Sequence, residues 1–277
     1  MRRFWNTTGL VALHAVLALG AIIMVMPFIW MISTAFKPKN EVLSKTPNFI
    51  PAHPTFSNFT GVFHAAPFAR YFVNSMVMSV TSTVVIVLTS AVAGYVLAKF
   101  TFPGRTVLFA VILATAVVPF EIYMIPLYLS MNRLKLINTM QGMVIPYLIM
   151  SFGIFFIRQN VIASIPDELM MAARIDGASE LRIFTRIILP LLGSACSALS
   201  IFAFIQAWTA FIWPLLIANT QDLYTMELGL AQFQTGFAIN FGLTAAGSVI
   251  SLIPVVVVFL LLRRRIITGV ALTGIKG

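Results

Sequence analysis

The side chains of this sequence that could do chemistry are few, and half of its carboxylates fall in one short strip. Of 8 acidic residues, four lie within residues 165–190, which we call the charged strip: Asp167, Glu168, Asp176 and Glu180. Long apolar runs flank the charged strip on both sides. A passively anchored membrane protein needs no structured charged segment between its apolar runs. The charged strip therefore favours contact with a partner outside the bilayer.

The charged strip has the pattern of two short helices joined by a turn. Ser164, with a carboxylate three residues later, is typical of a helix start, and Pro166 fits a first turn because its missing N–H costs nothing there. Gly177 predicts the turn, since glycine reaches left-handed φ without a Cβ penalty. Ser179 can cap a second helix that runs to Pro190.

Residue sets for catalysis or metal binding are not found in the sequence. It has no catalytic triad, no carboxylate pair and no metal-ligand spacing. It also lacks the GxxxxGK[ST] phosphate loop, so the chain does not bind ATP by itself. The single Cys196 excludes an internal disulfide and a cysteine metal cluster. These observations predict that the chain is not an enzyme and holds no cofactor or metal of its own.

Glu121 is the one carboxylate that lies clearly inside an apolar run. Pro119 and Pro126 flank it and each frees a backbone carbonyl, which predicts a bent or locally unwound helix. Such a break is tolerated at membrane depth only beside protein or a watery cavity. An intramembrane carboxylate is a functional candidate, with a structural or interfacial carboxyl as the alternative.

The fifth apolar run carries polar and aromatic side chains together, at Gln206, Trp208 and Thr209. Aromatic rings beside polar groups suit sugars, whose faces are apolar and whose rims carry hydroxyls. An interfacial aromatic belt is the alternative. We predict that these three residues and Glu121 face a solute pathway.

Composition indicates an integral membrane protein. The chain has 277 residues, of which 60% are hydrophobic and 9% charged, whereas soluble domains carry roughly 25% charged residues. Apolar runs near the roughly 20 residues that span a bilayer cover residues 10–32, 72–97, 107–129, 140–157, 189–218 and 241–262. The predicted fold is all-α: one polytopic domain over residues 1–277, with six transmembrane helices and a cytoplasmic helix between the fourth and fifth.

Basic residues predict the orientation of this domain and explain its net charge of +10 without nucleic acid. With a cytoplasmic N-terminus, twelve basic residues lie inside: Arg2, Arg3, Lys99, Arg105, Arg158, Arg174, Arg182, Arg186, Arg263, Arg264, Arg265 and Lys276. Six lie outside: Lys37, Lys39, Lys45, Arg70, Arg133 and Lys135. The positive-inside rule then places both termini in the cytoplasm. The predicted segments are a cytoplasmic N-terminus (1–8), an external loop (37–70), a cytoplasmic loop (158–187) and a cytoplasmic tail (263–277).

The charged strip resembles the EAA loop of ABC-importer permeases, the cytoplasmic segment that docks on the ATPase subunits. The family pattern is Glu-Ala-Ala, three residues, Gly, nine residues and Ile-x-Leu-Pro. Here Ala172-Ala173, Gly177 and Ile187-Ile188-Leu189-Pro190 match that spacing, and Met171 replaces the leading Glu. The resemblance implies these ATPase-coupling residues: Asp167, Glu168, Ala172, Ala173, Asp176, Gly177, Leu189 and Pro190.

Other segments resemble the smaller permease subunit of carbohydrate-uptake ABC importers, of which the second permease of the maltose transporter is an example. They are Ser33-Thr34-Ala35-Phe36-Lys37-Pro38, Phe72-Val73-Asn74-Ser75, the run from Ala207 to Leu216 with its Trp-Pro-Leu-Leu, and the glycine-ended tail. In the family that tail enters the ATPase dimer. The tail residues implied to contact the ATPases are Thr273, Gly274, Lys276 and Gly277.

This resemblance implies a permease subunit of an ATP-driven, binding-protein-dependent importer for a sugar or oligosaccharide. It implies a second homologous permease, a dimer of ATPase subunits that bind ATP and Mg, an extracytoplasmic solute-binding protein, and a bacterial or archaeal cytoplasmic membrane. A polyol, glycerol-phosphate or peptide solute remains an alternative. An ion-coupled secondary transporter is the alternative from another class.

Overall fold

The computed structural model describes residues 7–44, 48–234 and 240–273, and every regular element in these ranges is a helix. The α-helices are α1 (Thr7–Ala35), α2 (Lys39–Val42), α3 (Ser57–Ala65), α4 (Phe68–Lys99), α5 (Arg105–Thr115), α6 (Phe120–Arg133), α7 (Met140–Val144), α8 (Ser151–Ser164), α9 (Asp167–Ile175), α10 (Glu180–Ile183), α11 (Leu189–Leu191), α12 (Gly193–Trp208), α13 (Ile212–Ile217), α14 (Met226–Gln232) and α15 (Phe241–Thr273). A π-helix covers Phe184–Ile188, and 3₁₀ turns cover Ile145–Tyr147 and Gln221–Leu223.

Three helices of the described chain are long and apolar enough to cross a membrane: Gly9–Ala35, Phe68–Lys99 and Phe241–Arg263. Three further pairs reach that length only together. They are Arg105–Thr115 with Phe120–Arg133, Met140–Tyr147 with Ser151–Ser164, and Glu180–Leu191 with Gly193–Trp208, bent by 98°, 41° and 76°. The predicted number of six is reached if each bent pair crosses once.

The break in the third apolar run is confirmed, but only one of its two prolines produces it. α5 ends at Thr115, and Pro119 precedes the first residue of α6. Pro126 lies inside α6, which continues to Arg133, so the predicted break falls at Pro119 alone. Pro126 is in the second turn of α6 and therefore removes one hydrogen bond without ending the helix.

The contacts divide the chain into two compact units, and residues 67–229 belong to one of them. Within it α4 packs along α8 and α12. A Cβ on Gly94 would lie 2.9 Å from the backbone nitrogen of Arg158, and one on Gly153 would lie 2.5 Å from Ser90 Oγ. Only glycine allows α4 and α8 to approach this closely, as in many membrane helix pairs.

A second cluster in the same unit surrounds Trp213, which is fully buried. Its indole N–H donates to the Gly142 carbonyl at 3.0 Å, which fixes the ring between α7 and α13. Asn74 Nδ2 donates to the carbonyls of Asp222 (2.8 Å) and Tyr224 (3.0 Å). These bonds tie the loop after α13 to the start of α4.

The other unit contains residues up to 66 and residues 230–252. At the end of α1 the buried Lys37 places its ammonium 4.5 Å from the Trp30 ring centroid and donates to the Asn48 carbonyl. Asn58, at the start of α3, donates to the carbonyls of Ala35 and Lys37. The chain after α1 is therefore folded back on that helix end.

Candidate functional site

The charged strip folds as helical segments joined at Gly177, as its sequence predicts. α9 ends at Ile175, Gly177 has φ +76°, and Ser179 Oγ accepts a hydrogen bond from the Arg182 N–H at 3.4 Å. The prediction for Ser164 is wrong, because Ser164 is the last residue of α8 and the residue that precedes α9 is Pro166, without a side-chain cap. A residue before proline is forced out of the α conformation, so the break falls at Ile165.

α9 has one face inside the protein and one face outside it. Met170 and Ala173 are buried in the core cluster that includes Tyr95. Met171 and Ile175 are exposed, at 58% and 86%, and Ala172 between them is exposed as well. Residues four apart share a helix face, so these three form an apolar stripe at the surface. Ala173, predicted beside Ala172 to meet a partner, packs within the chain instead.

Lys99, the last residue of α4, fixes the start of α9. Its ammonium donates to the Ile165 carbonyl at 2.6 Å and lies 2.5 Å from the Asp167 carboxylate. The Lys99 side chain is 8% exposed and that of Asp167 is 64% exposed. Because the cation is withdrawn from water, both contacts are needed to compensate its lost hydration.

A second polar network joins the two sides of the Gly177 turn. The Arg174 guanidinium donates to both carboxylate oxygens of Glu180, at 2.6 and 3.3 Å, and Tyr95 OH donates to the same carboxylate at 3.5 Å. The hydrogen bond to Glu180 raises the pKa of Arg174 above its ordinary value. α4 therefore holds the charged strip at Asp167 and at Glu180. Tyr95 and Lys99 could not be found as positioning residues from the local sequence pattern, because they lie 85 and 66 residues from the groups that they contact.

The helix after Ser179 does not stop at Pro190. Its middle is a π-helix, in which the Leu189 N–H donates to the Phe184 carbonyl. Proline cannot supply the N–H of a regular turn, so the hydrogen bonding shifts by one residue before Pro190. Leu189 is half-buried and Pro190 exposed, and the bend follows at Leu192. Asp167, Glu168 and Asp176 are exposed.

Of the four residues predicted to face a solute pathway, the structure brings Gln206 and Thr209 together at one cavity of about 520 Å³. Glu121 is exposed in the first turn of α6 and is not among the lining residues, although its neighbour Phe120 is. Trp208 is buried, stacks on Phe204 and meets the edge of Phe72. Its helical position places it on the opposite side of α12 from Gln206, in the core.

The cavity lies where broken helices end. α5 reaches it with Thr115 in its last turn and α12 with Thr209, the residue that follows its last turn. The first turns of α6 and α8 reach it with Phe120 and Ser151. Helix ends leave backbone carbonyls and N–H groups without helical partners. Acceptors and donors therefore face the same space.

The other polar groups of the cavity are hydroxyls and one amide. Thr115 Oγ1 and Ser151 Oγ are 2.8 Å apart, and Thr209 Oγ1 donates to the Ile205 carbonyl at 2.8 Å. Tyr123 and Tyr147 also line the cavity, beside the rings of Phe120, Phe152, Phe211 and Trp213. Thr115, Ser151 and the two tyrosines were not among the residues predicted to face the pathway. The signal that could have found them is the pair of helix breaks near Pro119 and Pro146.

The predicted tail contacts lie outside the described residues for Gly274, Lys276 and Gly277, and Thr273 is the last residue of α15. Their contact with ATPases remains a prediction. Among the described residues no group of three His, Cys, Asp or Glu side chains could hold a metal ion.

Comparison with known proteins gives the following similarities. Residues 86–270 match the family described as binding-protein-dependent transport system inner membrane component. The chain is 36% identical to the arabinooligosaccharides transport system permease protein AraQ of Halalkalibacterium halodurans, over 93% of each chain. It is 31% identical to the diacetylchitobiose uptake system permease protein NgcG of Streptomyces coelicolor, over 93% of this chain and 86% of the relative.

A solved structure shows the same fold. It is a crystal structure of a bacterial ABC transporter involved in the import of the acidic polysaccharide alginate, and one of its chains matches with a TM-score of 0.82 at 22% identity. The match covers 95% of this chain and 99% of that one.

Proposed function

The chain belongs to the family of inner membrane components of binding-protein-dependent transport systems, and from this premise we propose that the solute it helps to import is a sugar or oligosaccharide. Members of this family are transport permeases of ABC importers and not enzymes, and they work with another permease, ATPases and a binding protein. Membership of this family therefore contradicts the alternative that the chain is an ion-coupled secondary transporter. The chain itself carries no cofactor.

One observation carries the choice of solute: relatives at 36% and 31% identity, aligned over nearly the whole chain, are named for arabinooligosaccharides and diacetylchitobiose. The cavity beside Gln206 and Thr209 supports the choice. It combines hydroxyl and amide groups with aromatic rings, the mixture that suits the apolar faces and polar rims of sugars. We propose this cavity as part of the solute pathway.

We propose further that the charged strip receives the movement of the ATPases. Two features support this: the apolar stripe of Met171, Ala172 and Ile175, and the anchoring of both parts of the strip to α4. An exposed apolar face outside the bilayer calls for a protein partner. In this proposal ATP and Mg bind to two ATPase subunits in the cytoplasm, on the side of both termini of this chain. The membrane is the cytoplasmic membrane of a bacterium or archaeon.

The experiment is reconstitution of the importer in proteoliposomes, with the second permease, the ATPases and the binding protein. We expect ATP-dependent uptake of a labelled oligosaccharide, and ATP hydrolysis stimulated by the loaded binding protein. Proteoliposomes that contain all components except this chain are the matched control. Uptake that runs on an ion gradient without ATP would contradict the proposal.

A further inference from the structure

The absence of charged side chains from the described lining of the cavity favours uncharged solutes over ionised ones. Among the described residues, those that line the cavity include no carboxylate, ammonium or guanidinium group. Its polar side chains are those of Thr115, Tyr123, Tyr147, Ser151, Gln206 and Thr209. An ionised solute would lose hydration in this space and gain no opposite charge, which is costly.

The helix ends at the cavity do not supply the positive charge that an anionic solute would need. The first turns of α6 and α8 present partial positive charge, whereas the last turns of α5 and α12 present partial negative charge. An anion could use only the donors, and it would also face the carbonyl ends.

A sugar hydroxyl is both donor and acceptor, and the side chains of the cavity match that duality. The Gln206 amide has no hydrogen bond within the described chain, so its two N–H groups and its oxygen are all available. The Thr209 hydroxyl donates its hydrogen to the Ile205 carbonyl, so towards a solute its oxygen can only accept a hydrogen bond. Trp213 is fully buried and donates its indole N–H to Gly142, so it forms a fixed apolar wall behind the cavity.

We propose that this cavity selects an uncharged, hydroxyl-rich solute, such as a neutral oligosaccharide, and disfavours solutes that carry a phosphate, sulfonate or carboxylate. This inference rests on the proposed function, since it assigns a solute class to the same pathway. Gln206 is the specificity-determining residue in it, because it is the free amide among hydroxyls.

The test measures equilibrium binding to the purified importer, with the binding protein omitted so that only the permeases select. The neutral probes are arabinotriose, lactose and galactobiose, and digalacturonate is the acid that matches galactobiose in size. We expect at least one neutral probe to bind, and galactobiose to bind at least about tenfold more tightly than digalacturonate. Equal or tighter binding of the acid overturns the inference, and so does a failure of every neutral probe to bind.

Variants locate the selection in this cavity. We expect Gln206→Leu to weaken neutral binding about tenfold, in line with the loss of the hydrogen bonds between this amide and the solute. We expect Gln206→Lys to reduce the preference for galactobiose over digalacturonate. Gln159→Leu makes the same chemical change at an exposed position of α8 away from the cavity and should change neither value. Equal effects of Gln206→Leu and Gln159→Leu would overturn the assignment to this cavity.

The two proposals fail in different ways. If the proposed function is wrong, proteoliposomes show no ATP-driven uptake of any solute. If only the inference about charge is wrong, uptake is active and digalacturonate binds at least as tightly as galactobiose.

Discussion

At the scale of single residues, Gly177 sets the direction in which the chain leaves α9. Its φ of +76° is in the left-handed region, and a Cβ added there would meet nothing within 4 Å. The demand for glycine therefore comes from the backbone and not from crowding. For a residue with a Cβ this conformation costs about 1–2 kcal/mol, and asparagine bears it more easily than a β-branched residue.

We expect Gly177→Val to reduce ATP hydrolysis stimulated by the binding protein in the reconstituted importer, and Gly177→Asn to retain most of it. The valine strains the turn and displaces Glu180 from Arg174, whereas asparagine accepts positive φ. The amount of each variant in the membrane fraction serves as the control for insertion. If the two variants lose activity equally, the Cβ itself meets a partner surface and the strain argument fails.

At the scale of elements, some residues of α9 hold it against the rest of the unit and others are exposed at the surface. Met170 and Ala173 pack in the core, and Lys99 and Glu180 connect the helix and its turn to α4. Among the described residues, the stripe of Met171, Ala172 and Ile175 has no such packing or anchoring role. Where the family pattern has Glu, Met171 makes this stripe continuous and apolar.

We expect Ile175→Asp to weaken the association of the ATPase subunits, because it puts a carboxyl group into an apolar contact, where even an uncharged polar group costs roughly 1–3 kcal/mol. Copurification of the ATPases with tagged permease measures the effect. Met171→Glu restores the family's residue at the edge of the same stripe and should be tolerated. An Ile175→Asp protein that retains its ATPases as the wild type does would remove α9 from the docking surface.

Sequence patterns predicted where helices begin, bend and end better than they predicted which side chains are in contact. The Gly177 turn, the Ser179 cap and the bend near Pro119 follow from local backbone chemistry, and all three are present. Ala173 and Trp208 were predicted to face a partner or a solute and are buried instead. Which side of a helix faces the core depends on distant packing, and in apolar helices both sides have similar composition.

At the scale of the whole molecule, the distribution of charge and the lengths of the helices jointly constrain the topology. α4 has 32 residues, or roughly 48 Å at 1.5 Å per residue, which exceeds the roughly 30 Å of the hydrocarbon core. Lys99 at its end anchors the charged strip, and Arg70 near its start pairs with Asp222 at 2.8 Å. The charged strip and the loop that contains Asp222 should therefore lie on opposite sides of the membrane.

Fusions to a reporter that is active only outside the cytoplasm test this topology. We expect activity for fusions within residues 37–70, 132–138 and 219–240, and none for fusions within residues 99–105 and 167–186 or at the C-terminus. The reason is the excess of basic residues in the segments predicted to be cytoplasmic, twelve against six in those predicted to be external. Fusions at residues 66 and 101 flank α4 and form a matched pair, because they differ by one crossing. Activity of a fusion within residues 167–186 would place the charged strip outside the cell, away from ATP, and both the orientation and the docking proposal would then be wrong.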